Sequence, residues 1–195
     1  MFQVWTTDAL AEWCTSLELA EMPEAVIAKA EDCLLDVIAC AIAGRDAEAT
    51  ARVAGVASAQ YRDGPAHVWF GAERLHPTGA AFVNSTAASI LDLDDGHRGP
   101  CGHPGAAVIP TALAVAQETN AGGDALLGAI IAGYEVCTRI GASEHRIAYH
   151  TGNWSGFGAA AAGHVRVAMT IENSAFEAAL RDLCRFAEGR ASRAA

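Results

Sequence analysis

The chain has 195 residues, enough for one domain with a substantial core and short for two at the usual ~100–200 residues each. It is 52% hydrophobic and 18% charged, with a formal charge of −10 and Lys29 as its single lysine, which argues against a nucleic-acid surface built to displace counterions from phosphates. Alanine dominates the apolar residues and β-branched alternation is scarce, so the expected fold is all-α, a compact helical bundle packed through small side chains.

In chain order, no charged segment precedes an apolar one at the N-terminus, so no leader is expected and a cytoplasmic location is. Residues 7–19 predict a helix with Leu10, Trp13, Cys14 and Leu17 on one face. Residues 23–43 predict the firmest helix, with Pro23 at its first position and Gly44 at C′. Residues 47–60 give a third, alanine-rich helix. Residues 66–70, between Gly64-Pro65 and Gly71, read as a short strand or an extended connector. After Pro77, the positions Phe82, Val83, Ala87, Ile90 and Leu91 predict a helix that delivers Asp92 and stops near Gly96.

A further helix begins at His103-Pro104, with Pro110 kinking it or lying in its first turn. The uncharged run 104–117 has 14 residues, short of the ~18 that suggest a membrane span, so no membrane is expected. Residues 120–123 form a turn, and Asp124 caps a long apolar helix through Leu126, Ile130, Tyr134 and Ile140 that reads as central and buried. A second polar stretch, with Arg146, His150 and Trp154, lies between Gly141 and Gly158. Small residues 159–162 start another helix, Ser174 and Glu177 make a capping box for a last one, and residues 189–195 are a frayed tail behind a domain of residues 1–188. The six cysteines lie far apart, without a C-x-x-C pair, and read as reduced thiols.

Chemistry concentrates in Asp92-Leu93-Asp94-Asp95-Gly96-His97-Arg98 and the nearby His103-Pro104-Gly105, where three carboxylates, two imidazoles and a guanidinium fall within twelve residues. An apolar core gains nothing from such a cluster, because an unpaired buried charge is destabilising or neutralises itself. Asp94, Asp95, His97, His103 and His150 are all possible metal ligands, but the His97–His103 interval crosses a Gly-Pro loop and lacks the i, i+4 spacing of a helix-borne site, so no metal is expected. Cys101 has a histidine nearby, yet a glycine-flanked loop thiol is usually an ordinary one. Acid–base work on an acidic substrate fits better, because it needs a carboxylate or imidazole poised near neutral pH, and Arg98, His103, Arg146 and His150 supply local positive potential. Two solvated loops of capping residues remain the competing reading.

At these residues the sequence resembles the MmgE/PrpD family. Leu34-Leu35-Asp36-Val37-Ile38-Ala39-Cys40-Ala41-Ile42-Ala43-Gly44 resembles its first long helix, and Ala81-Phe82-Val83-Asn84-Ser85 the helix before its acidic motif. Leu91-Asp92-Leu93-Asp94-Asp95-Gly96-His97 resembles the L-D-x-D-D-T/G-H signature, and His103-Pro104-Gly105 its H-P-S/G partner. Gly133-Tyr134-Glu135-Val136 and Trp154-x-x-Phe157-Gly158 follow in family order. The resemblance implies a helical domain that dimerises and a cofactor-free site that acts on di- or tricarboxylates by abstracting a proton next to a carboxylate. It assigns Asp92, His103 and His150 to catalysis and Asp95, Gly96, His97, Arg98 and Trp154 to substrate contact.

Two departures from the family pattern matter. Gly105-Ala106-Ala107 replaces the serine-aspartate-asparagine run of the dehydratases, which favours the epimerase or decarboxylase branches. The family's lid domain and downstream lysine are not found in these 195 residues, and Lys29 sits on an N-terminal helix from which it cannot substitute. The expectation is an incomplete site, a separate chain that supplies the missing part, or a truncated member that serves as a binding or oligomerising module.

Overall fold

The computed structural model describes residues 6–145 together with residues 159, 161 and 162. Six α-helices carry most of the described residues: α1 (Thr6–Ser16), α2 (Glu24–Gly44), α3 (Glu48–Gln60), α4 (Pro77–Ser89), α5 (Gly105–Thr119) and α6 (Gly123–His145). A 3₁₀ turn (Leu19–Glu21) precedes α2, and a hairpin of β1 (Ala66–His67) and β2 (Arg74–Leu75) precedes α4. The domain is thus mostly helical, as its composition predicts.

Helix α2 buries Ala30, Val37, Cys40, Ala41 and Gly44 along one stripe. Pro23 stands just before the helix as its cap, one place earlier than expected. Gly44 lies within the helix, not beyond its end, and the residue that follows is right-handed. Its lack of a side chain serves packing: a Cβ there would run into the Ala87 carbonyl and the Ile90 side chain of the neighbouring helix. Ala87, Ala88 and Ala106 join Val37 and Ala41 in one core with Val108, Ile109, Ile130 and Ile131, so small residues let α2, α4, α5 and α6 approach closely.

The hairpin confirms the strand reading of residues 66 and 67 and adds β2, whose two residues are too few for any alternation to reveal. Asn84, buried on α4, clamps the hairpin by accepting from the Trp69 N–H at 2.9 Å and donating to the His67 carbonyl at 3.0 Å. The α4 helix stops at Ser89, earlier than expected, and Phe82 within it and Ile90 and Leu91 after it are exposed. Pro110 lies well inside α5, beyond its first turn, and is fully buried. Asn120 ends α5 in the left-handed conformation, with its N–H bonded to the Ala116 carbonyl. Asp124 sits in the first turn of α6, where its charge faces the positive end of the helix dipole, and does not cap it.

Over Gly123–Ala142, α6 is long and apolar enough to cross a membrane by length and composition, and half of that stretch is buried inside the domain, as in a core helix. Ala161 and Ala162 pack into the same core, in keeping with the small-residue helix expected there. Arg146, His150, Trp154, the capping box and the tail lie outside the described residues.

Candidate active site

The site grows from the segment 90–104, which joins α4 to α5. After Ser89 the chain turns through Asp92, whose φ of 54° puts it in the left-handed region open to aspartate. Its N–H donates to the Ser89 carbonyl at 3.0 Å. Further on, His97 and Gly102 exchange backbone bonds, the His97 N–H reaching the Gly102 carbonyl at 2.8 Å. This bridge reverses the chain and returns His103 to the side of Asp92 and Asp94.

Asp95 fixes the segment to three helices at once. Its Oδ1 accepts from the Gly105 N–H at 2.9 Å and its Oδ2 from the Tyr134 hydroxyl at 2.9 Å, while its own N–H donates to Asp36 Oδ2 at 3.1 Å. One residue therefore ties α5, α6 and α2 to the loop that carries the candidate base. Gly105 is required by the same contact, since a Cβ there would fall within 3.0 Å of Asp95 Oδ1, the Tyr134 hydroxyl and Val37. Burial is the largest influence on the Asp95 carboxyl and raises it, with the Tyr134 and Gly105 hydrogen bonds acting the other way. The Tyr134 hydroxyl is raised as well, first by burial and then by the Asp95 charge.

His103 stands at the mouth of a groove, half exposed. Its Nδ1 lies 3.1 Å from the Asp94 backbone carbonyl and 3.7 Å from Asp94 Oδ1. A carbonyl oxygen can only accept, so that bond places the imidazole hydrogen on Nδ1 and leaves Nε2 with a free lone pair in the neutral ring. Nε2 lies 3.7 Å from Oδ1 of the exposed Asp92. The Asp94 side chain is only 2% exposed, and its Oδ2 has no hydrogen-bond partner. Burial raises the Asp94 carboxyl, and the His103 charge partly offsets that rise. Asp92, Asp94 and His103 each offer one ligand atom within 4.8 Å of the others, so this set has the donors to hold a metal ion.

The groove, about 590 Å³, runs between α4 and α5 with Asp92, Asp94 and His103 among its lining. The structure thus brings two expected residues, Asp92 and His103, together. Asp95, expected at the substrate, has both carboxylate oxygens engaged within the fold. Gly96 is exposed beside the imidazole, and a Cβ on it would meet only His103 Cε1, at 4.0 Å. His97 turns its Nδ1 onto the Gly99 N–H at 3.2 Å, and neither it nor Arg98 lines the groove. His150 and Trp154 lie outside the described residues. Sequence reading offers Asp94 only as a possible metal ligand and gives Asp36 and Tyr134 no role; Asp36 has a signal, being the single charge within the apolar stretch 34–44.

These features define a helical domain with an imidazole–carboxylate cluster at the mouth of an interhelical groove. The chain belongs to the MmgE/PrpD family, whose N-terminal domain matches residues 8–180. It is 27% identical over 168 residues to the cis-aconitate decarboxylase-like protein oryM of Aspergillus oryzae, covering 80% of this chain and 35% of that protein. It is 28% identical over 141 residues to a cis-aconitate decarboxylase of Aspergillus terreus, covering 69% of this chain and 29% of the other. A cis-aconitate decarboxylase of Mus musculus is 31% identical over 112 residues, 57% of this chain and 23% of that protein. The chain spans about a third of the length of the first two relatives.

Proposed function

We propose that the chain carries the proton-transfer site of a cofactor-free lyase or isomerase that acts on a di- or tricarboxylate. His103 Nε2 takes or returns a proton at the carbon next to a carboxylate. The observation that carries this reading is the hydrogen bond from His103 Nδ1 to the Asp94 carbonyl, which selects the tautomer with a basic Nε2 at the groove. When Nε2 gains the proton, the carbonyl and carboxylate of Asp94 face the new positive charge. Asp92 Oδ1, 3.7 Å from Nε2, faces that charge from the solvent side once the ring is protonated. Arg98, on the adjoining loop outside the lining of the groove, is proposed to reach a substrate carboxylate, and His150, further along the chain, to share in proton transfer with His103. The names of the relatives favour the decarboxylase branch, and the Gly105-Ala106-Ala107 run favours that branch or the epimerases.

In deuterated water, NMR of cis-aconitate, citrate and succinate with the whole chain should report exchange of the acidic C–H. His103→Ala should slow it by about 10²- to 10⁴-fold with helicity unchanged by circular dichroism. Exchange that survives this substitution would sink the assignment of the base. Exchange lost to a chelator and restored by a divalent ion would move the chemistry to a metal held by Asp92, Asp94 and His103.

A second reading, a binding or self-associating module, is favoured by a different observation. Leu35 and Ile42 on α2 and Ile90, Leu91 and Leu93 on the next segment are exposed, at 69%, 46%, 38%, 45% and 62%. Leu35 and Ile42 lie seven residues apart on one side of α2, away from the stripe that meets α4, and give that helix an unpartnered apolar face. Homodimerisation through it predicts that Leu35→Glu lowers the mass found by sedimentation equilibrium to that of one chain. An unchanged mass would rule this face out.

A further inference from the structure

The cluster at His103 contains an oxygen that the fold does not satisfy. Asp94 Oδ2 belongs to a side chain only 2% exposed and has no hydrogen-bond partner among the described residues. A buried carboxylate oxygen left in that state is costly, and a donor or a cation normally answers it. His103 does not answer it. Its Nδ1 stands 3.7 Å from the other oxygen, Oδ1, and directs its hydrogen to the Asp94 backbone carbonyl. Among the described residues, no arginine or lysine lines the groove, so two carboxylates, Asp92 and Asp94, face one imidazole. A divalent cation would balance both charges and give the buried carboxylate the partner it lacks.

The geometry admits such an ion. The Asp94 carbonyl holds the hydrogen on Nδ1 and leaves the Nε2 lone pair available, 3.7 Å from Asp92 Oδ1. A four-coordinate ion with bonds of about 2.1 Å sets its donors roughly 3.4 Å apart. One donor atom from each of the three residues already lies within 4.8 Å of the others, and Asp92, with a side chain 90% exposed, is free to turn inward. One imidazole nitrogen with two carboxylate oxygens suits zinc or cobalt better than magnesium or calcium, which take oxygen ligands. We propose that Asp92, Asp94 and His103 form a site for a zinc-class divalent ion, and that the bound ion stops proton transfer by occupying His103 Nε2. The arrest of proton transfer rests on the proton-transfer reading of His103; the ion site itself rests on the donor set and the unpartnered Asp94 oxygen.

The test uses the whole chain, stripped with EDTA and titrated with cobalt(II). One ion per chain should give the visible absorption of a four-coordinate cobalt centre, without the near-ultraviolet charge-transfer band of a thiolate ligand, and zinc should displace it. Asp94→Asn and His103→Ala should each weaken binding by more than the about 10- to 100-fold that loss of an outer-shell partner costs, with circular dichroism unchanged. Cys101→Ser should leave binding unaltered. In deuterated water, exchange of succinate or cis-aconitate should fall in proportion to the zinc bound and return on adding EDTA. Absence of cobalt binding, binding that survives both substitutions, a thiolate band, or exchange that persists or rises with the ion bound would overturn the inference. The two claims separate cleanly. If exchange depends on His103 and no ion binds, the ion inference falls alone. If the ion binds through Asp94 and His103 but the stripped chain shows no exchange, the proton-transfer reading falls and the ion site stands.

Discussion

Asp94 shows how one side chain can hold a site in tension. Its carboxylate is almost wholly buried and one of its oxygens lacks a partner, an arrangement whose charged form is costly in a low-dielectric setting. Because burial raises its carboxyl above the ordinary 3.8, the folded chain holds this proton more tightly than the unfolded chain does. The stability it contributes is therefore full below 3.8 and is lost as the pH climbs through the raised folded value. Asp94→Asn should then raise the thermal unfolding temperature near neutral pH, by on the order of 1 kcal/mol of stability. The advantage should shrink as the pH falls below 3.8. A difference that does not change with pH would show that the buried charge is not its source. Sequence alone marked this segment as the place for chemistry, because its charges stand out from an apolar chain. It could not separate Asp94 from Asp95, since adjacent residues in a loop obey no period and only the turn at Asp92 decides which carboxylate points inward.

At the scale of elements, the brace around Asp95 is what makes the candidate base part of the helical core. Tyr134→Phe removes the hydroxyl that Asp95 Oδ2 accepts from and leaves a half-buried acceptor without it. A loss of about 1–3 kcal/mol is expected in urea unfolding, together with a fall in deuterium exchange as the loop loses its anchor to α6. If stability falls and exchange does not, the brace supports the fold alone. The helices themselves were largely legible, because apolar residues at helical spacing announce α2 and α6 and the turn at residues 120–123 separates α5 from α6. Their ends were less so. Gly44 looks like a helix terminator, yet it sits inside α2 because α4 crosses there, and a contact with a distant helix leaves no mark in local sequence.

For the molecule as a whole, the cysteines report on burial. Desolvation pushes the Cys14 and Cys137 thiols up to about 12, and Cys33 and Cys40 are raised as well, first by burial. At mildly alkaline pH, iodoacetamide should therefore modify Cys14 and Cys137 only after the chain is unfolded in urea, as read by peptide mass spectrometry. Rapid labelling of either in the native chain would contradict the burial of Cys14 on α1 and Cys137 on α6.

Composition and periodicity determined the helical class, the position of the core helices and the segment where chemistry gathers, since these depend on the ordering of apolar and charged residues along the chain. Only the tertiary structure decided that Asp95 braces the loop, that Asp94 sets the His103 tautomer, and that α4 and α5 leave an apolar groove beside them. Each of these depends on groups far apart in sequence meeting at hydrogen-bond or van der Waals distance, and such meetings are fixed by helix packing.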